Sequence, residues 1–444
     1  MRKLILILAL ALLLCVCCAQ GATRIGLDRL NWSQSIDGIK FSGTAPTATT
    51  DKLYSDSGVL KFNGKEIDGT YHGFIRQSGA TLYAYSSTAL VTSGTDFGTV
   101  FNALVNTLRS GTTCNAVIYV DTANASTTTP GYLYSNLSVV SSGIGRASIS
   151  TGSNIALFQV NSTSTAINYI RIKGFDLAYT GTNPYTTAHI NLYNTSYSIV
   201  DDVYTSTPNL AYSSSNQGGI RIDGLLYHAW LNKITNCHAH RIRLNNATDN
   251  WVFGNTICSW ETNGDAIYLS GSCNNLKLSQ NHIIVTKLYG LVVASGTTQD
   301  GLHITDNWFE PQDGWQAGEE QQAIYSLGTI QNSIVSNNHV RNMGSVGFNF
   351  DGGLKYSICS SNEFYNCNMA NNANYRCISL GATSTTNAFV GNKGRAVGIT
   401  TKAPFMWGCD YASYTSNVIV GTFSDDITNV GTGSIETGTI SRLA

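Results

Sequence analysis

Residues 273–296, CNNLKLSQNHIIVTKLYGLVVASG, hold two short apolar runs punctuated by Asn281, Gly290 and Gly296. The same punctuation recurs along the chain. KITNCH, VFGNTI, LSQNHI, ITDNWF, VSNNHV, CSSNEF and VGNKGR align on Asn236, Asn255, Asn281, Asn307, Asn338, Asn362 and Asn392, with successive gaps of 19, 26, 26, 31, 24 and 30 residues. A second series follows each of the first six asparagines: HRIRLNN, GDAIYLSG, YGLVVASG, QAIYSLG, VGFNFDGG and RCISLG. Upstream, AHINLYN and GGIRIDG extend it. A period of roughly 25 residues, built of short alternating strands with Asn or Gly turns and no amphipathic helix between them, predicts an all-β solenoid, a parallel β-helix. Inward side chains of successive coils then stack at the ~4.8 Å strand spacing into one core. The asparagines tolerate a left-handed turn, and stacked amides can hydrogen-bond from coil to coil. Leucine-rich repeats have a similar length, but their fixed leucine pattern and helical half are missing; a propeller needs larger, more uniform blades.

Composition agrees with many short strands and polar turns. Charged residues are 12% of the 444, against a typical ~25%, and there are 43 glycines but only 6 prolines. The net charge of -1 gives no broad field to attract nucleic acid or anionic lipid. At the start, Arg2 and Lys3 precede an apolar run from Leu4 to about Cys18, followed by small residues. That run is shorter than the ~20 residues a bilayer span needs, so 1–22 reads as a secretory signal and the protein as secreted. A lipid anchor at Cys15, Cys17 or Cys18 is the alternative. Three of the 11 cysteines fall in this leader, and of the remaining eight, Cys367 and Cys377 are the best-placed pair for a disulfide.

Residues 94–111, GTDFGTVFNALVNTLRSG, carry helical periodicity, with Phe97, Phe101, Leu104 and Leu108 on one face, Asp96 near the N-cap and Gly111 as the stop. A short helix there would cap the open end of the solenoid. The helix, the strand AVIYVD, then SGIGRASI and INYIRIKGFDLAYT resemble in order and spacing the entry region of right-handed parallel β-helix proteins of the pectate-lyase-like superfamily. That group includes polysaccharide lyases, glycoside hydrolases and phage tailspikes. The resemblance implies a right-handed single-stranded solenoid over about 94–420, with 421–444 as a C-terminal cap or tail, and a polysaccharide as partner. It says less about activity. Residues 23–93 look like the strand-turn-strand segments of phage tail-fibre proteins, with turns at SDSG and FNGK, or like a plain linker and hairpin. A virion-associated homotrimer and a secreted monomer therefore both stand as expectations.

Solenoid enzymes use side chains that point outward from neighbouring coils. If the repeated asparagine points in, the next residue and the third after it point out. The first column then reads Cys237, Thr256, His282, Trp308, His339, Glu363, and the second Ala239, Cys258, Ile284, Glu310, Arg341, Tyr365. Aromatic faces suit sugar rings, and Arg and His suit hydroxyls or carboxylates, so this strip is the candidate carbohydrate groove. Asp306, one before its asparagine, is counted with it as a carboxylate. The insertion EPQDGWQAGEEQQ adds Trp315 as a stacking residue, with Asp313, Glu319 and Glu320 as acids or ligands for calcium. No other cofactor or metal is implied. In CHAH, His238 reads as an inward residue rather than a ligand.

Hydrolysis needs a carboxylic acid and a carboxylate roughly 5 Å apart for retention or ~6.5–9.5 Å apart for inversion. Glu310 with Glu363, two coils apart, or Glu310 with Asp306 are the candidate pairs. β-Elimination would instead use His282, His339 or Arg341 as base and charge neutraliser. The polygalacturonase order of motifs is absent, since Arg171-Ile172-Lys173 precedes Asp201-Asp202 and no Gly-His-Gly exists. The pectate lyase signature is absent as well. A non-catalytic attachment protein therefore stands beside the enzyme.

Overall fold

A computed structural model describes residues 53–56, 59–62, 65–66 and 72–443, without 88, 142–144, 183–184, 208–217, 259–263, 286–287, 313–320, 368, 371–375, 397–405, 408, 422–426, 429–431 and 438–440. The leader 1–22 and the loop residues Asp313, Trp315, Glu319 and Glu320 lie outside the described residues. Two compact units are formed, residues 1–70 and 71–444. In the first, Leu53–Asp56, Val59–Phe62 and Lys65–Glu66 make an antiparallel meander.

The second unit is the single-stranded parallel β-helix that the repeat predicts. The quoted stretch supplies one coil: Lys277–Ser279, a corner at Asn281, His282–Val285, then Tyr289–Val293 and Thr298–Asp300. Each of these strands pairs in parallel with the matching strand one coil on, His303–Thr305, Trp308–Pro311, Gln322–Ser326 and Thr329–Gln331. Every return to the same sheet is a crossover between parallel strands, the connection for which a right hand is the rule. Inward residues stack from coil to coil, as in Ile257, Ile283, Phe309, Val340 and Phe364, all at most 1% exposed. At the entry, Gly73–Ser78, Thr81–Ser86 and Leu90–Gly94 form a meander whose first strand joins Thr113–Asp121 in parallel. The helix α1 (Phe97–Leu108) follows, N-capped by Asp96, whose carboxylate accepts from the Thr99 amide at 2.8 Å. Its Phe97 and Phe101 pack on Phe158 at centroid distances of 6.0 and 5.8 Å. Gly98 is required there, because a Cβ would lie 1.9 Å from the Thr129 carbonyl oxygen.

The asparagines form the expected ladder. Asn255, Asn281, Asn307, Asn338, Asn362, Asn392 and Asn417 are at most 2% exposed, and the Nδ2 of each of the first six donates to the next Oδ1 at 2.9–3.0 Å. The second Nδ2 hydrogen goes to a carbonyl of the preceding coil, Leu278 for Asn307 at 2.9 Å. Two features differ from expectation. The left-handed residue is the one before the ladder asparagine, as at Gln280, Asp306, Asn337 and Ser361, with φ of 54–58°. At the first coil that slot is taken by Asn236 itself (φ 54°), and Cys237 heads the ladder, its amide donating to Asn255 Oδ1 at 2.8 Å. The expected register there is one residue off, so His238 points out and Cys237 points in.

All eight described cysteines are buried, and none of them forms a disulfide. The bridge expected between Cys367 and Cys377 is not formed; the two thiols hydrogen-bond as small core residues, and burial together with its neighbour pushes Cys377 well above the usual thiol range. Burial pushes Cys237, Cys273 and Cys359 up to about 12. Thiolate is the reactive form, so the native chain without residues 1–22 is expected at pH 8 to resist an aromatic disulfide reagent that labels the denatured chain at once; rapid native labelling would contradict this packing.

His189 sets a pH dependence. It is wholly buried, its Nε2 donates to the Ser206 carbonyl at 3.0 Å, and burial, then His240, push its pKa from 6.5 down to about 3. The unfolded imidazole takes a proton near pH 6.5 and the folded one only near pH 3. Its contribution to stability is therefore whole above pH 6.5 and drains away as pH falls toward 3, by about 1.4 kcal/mol per unit. Melts of the parent and His189→Gln across pH 7 to 4 check it: the variant's curve should be the flatter, and parallel curves would refute the assignment.

Candidate functional site

The strands after the asparagine corner carry the strip. Their register aligns Tyr204, His238, Thr256, His282, Trp308, His339, Glu363 and Lys393 in one outward column. Two positions further on stand Glu310 and, in the following coils, Arg341, Tyr365 and Arg395. Parallel pairing without slip forces these side chains into contact, since each sits one strand spacing from its equivalent.

The contacts interlock across coils. Glu310 accepts at both oxygens, Oε1 lying 2.8 Å from His282 Nε2 and Oε2 accepting from Trp308 Nε1 at 2.9 Å. His339 Nδ1 lies 3.0 Å from Glu363 Oε2. The Trp308 ring stacks on His339 at 5.6 Å and 26° and meets His282 edge-on at 6.5 Å. Arg341 lies over both Trp308 and Tyr365, at 5.4 and 5.5 Å, and Arg395 covers Tyr365 at 5.5 Å. Trp308, Arg341, Tyr365 and Arg395 thus alternate ring and cation along the axis. Arg341, Lys393 and Arg395 are exposed and make no ion pair among the described residues.

Of the residues singled out in the sequence, His282, Trp308, Glu310, His339, Arg341, Glu363 and Tyr365 are brought together. Asp306 is not: it occupies the left-handed corner slot (φ 58°), is exposed, and its carboxylate makes no hydrogen bond or ion pair among the described residues. Glu310 and Glu363 belong to coils separated by an intervening one, ~10 Å along the axis. At the upper end the register correction brings in His238, whose ring lies 4.8 Å from Tyr204; burial, then Arg146, lowers its pKa. Lys393 and Arg395 extend the lower end, and VGNKGR carried both in plain view. Among the described residues no cluster of three or more His, Cys, Asp or Glu side chains is placed to hold a metal ion.

No protein-family model and no curated protein sequence matches the chain. Among solved structures it is similar to the Dettilon tailspike protein (TM-score 0.51, 13% identity, 76% of this chain and 64% of that one). It is also similar to PfbA, a surface adhesin of Streptococcus pneumoniae (TM-score 0.54, 10% identity, 75% and 88%). The chain therefore spans about 64% of the tailspike's length. At these identities the likeness shows the fold: this is a parallel β-helix protein.

Proposed function

We propose that the protein is exported and binds polysaccharide along the strip from His282 to Arg395, and that the polysaccharide is acidic. The alternation of Trp308, Arg341, Tyr365 and Arg395 carries this reading. Guanidiniums set over rings retain N–H groups that can hold carboxylate, sulfate or phosphate groups while ring edges meet sugar C–H surfaces. A tailspike and a surface adhesin among the similar structures fit an attachment role.

Cleavage is the second reading, favoured by one observation: His282 is held by Glu310 at 2.8 Å, the arrangement that orients a general base. Such a base would abstract a proton for β-elimination, with Arg341 neutralising the uronate. Inverting hydrolysis by Glu310 and Glu363 is less well served, since their ~10 Å axial separation exceeds the ~6.5–9.5 Å that reaction uses. A digest of acidic and neutral polysaccharides with the full chain separates the readings. New reducing ends with absorbance from unsaturated uronates mean a lyase, and reducing ends alone a hydrolase. Binding without either supports attachment, and no binding to any acidic polymer discards the proposal.

A further inference from the structure

A second row of exposed rings stands on the far side of the asparagine corner, at the corner that opens each coil. At that corner four coils use residues at ease in the left-handed conformation, Asp249, Asn275, Gly301 and Asn332, with φ of 48–68°, and four use Leu231, Tyr356, Thr386 and Tyr411, with φ of 49–56°. In two of the first coils it uses Tyr169 (φ 59°) and Tyr197 (φ 55°) instead. A bulky side chain in that conformation is strained, and such strain persists where the surroundings or a function demand it. The corner demands the conformation but packing does not demand the ring, because Tyr169 and Tyr197 are 56% and 40% exposed. The rings line up along the axis. Tyr169 stacks on Tyr197 at 5.1 Å and 16°, and Tyr197 meets Trp230, itself 43% exposed, at 5.3 Å.

Beside this row runs a cationic column. Arg171, Ile199, Lys233, Trp251 and Lys277 pair coil to coil at the head of the next strand. Lys233 and Lys277 bracket the Trp251 ring at 5.2 and 5.4 Å. Arg171, Lys233 and Lys277 are exposed and make no ion pair among the described residues. Rings flanked by unneutralised cations are complementary to a sugar chain bearing acidic groups.

We infer that Tyr169, Tyr197 and Trp230, continued by Trp251 between Lys233 and Lys277, form a second binding row for an acidic saccharide, separate from the strip around Trp308. It shares with the proposed function only the class of ligand. The strained corner is the conformational cost of presenting the rings.

The test uses the full chain in affinity electrophoresis through gels of polygalacturonate, alginate, hyaluronan or neutral dextran, together with thermal melts and light scattering. Tyr197→Asn installs the residue type that other coils use at this corner. It should weaken retardation by about five- to ten-fold in the acidic gel that retards the parent, with the melting temperature unchanged or raised. Lys233→Gln should give a like loss and a shallower salt dependence. Trp308→Ala in the same gels reports on the other strip: a loss there with Tyr197→Asn behaving as the parent overturns this row alone. A lowered melting temperature with unchanged retardation makes the tyrosine a packing residue, and a changed oligomeric state with unchanged retardation makes it a subunit contact; either overturns the proposal, as does a parent that no acidic gel retards.

Discussion

Asn307→Ala is expected to cost about 3–5 kcal/mol, more than most single substitutions in this chain. The Asn307 amide makes four hydrogen bonds in a site closed to water: its Nδ2 donates to Leu278 O and Asn338 Oδ1, and its Oδ1 accepts from the Asn281 Nδ2 and backbone amide. Truncation orphans the Asn281 amide and the Leu278 carbonyl, at about 1–3 kcal/mol each, and interrupts a chain of polarised amides. Asn307→Asp keeps the two accepted bonds but turns a buried carboxylate toward Leu278 O and Asn338 Oδ1, so it should do no better than alanine. Urea melts check both. A loss under about 1 kcal/mol for either would mean that the ladder is decoration on a solenoid held by its apolar stacks alone.

Trp308→Ala should lower affinity for the bound polysaccharide by about 30-fold, the loss of a ~2 kcal/mol anchor, while barely moving the melting temperature. One ring holds the strip in order: it stacks on His339, carries Arg341 and donates to Glu310. Its loss releases three neighbours at once, yet it is 38% exposed on the outer surface and contributes nothing to the core. Glu310→Gln separates binding from chemistry. It retains an acceptor for Trp308 Nε1 and should bind nearly as the parent, while any cleavage that relies on an oriented His282 should fall away. Isothermal titration with the two variants checks this; a Trp308→Ala chain that binds like the parent would remove the strip from the account.

The β-helix was legible because buried polar groups must be satisfied, and the sequence shows how: an asparagine at nearly every return of one corner, followed by an apolar strand. The corner that opens each coil hides the same device. Ser198, Asn232 and Asn250 satisfy one another's amides there in early coils, and Ser333, Ser357 and Asn387 do so in later ones. Ser and Asn interchange there, so no single letter repeats. The misreading at Asn236 has the same origin, since asparagine serves both as ladder member and as left-handed corner residue, and only strand register separates the two. The strip was legible as columns of outward residues, but its pairing was not. Which carboxylate meets which histidine depends on the diagonal offset between adjacent coils, and the sequence leaves that unstated.

The most direct test of the central claim is a crystal structure of the full chain soaked with oligosaccharides of the acidic polymer that binds it most tightly. The account predicts sugar density along the outward strip between His282 and Arg395, with acidic groups at the edges of Arg341 and Arg395. Sugar bound only elsewhere on the solenoid, with that strip bare, would contradict it.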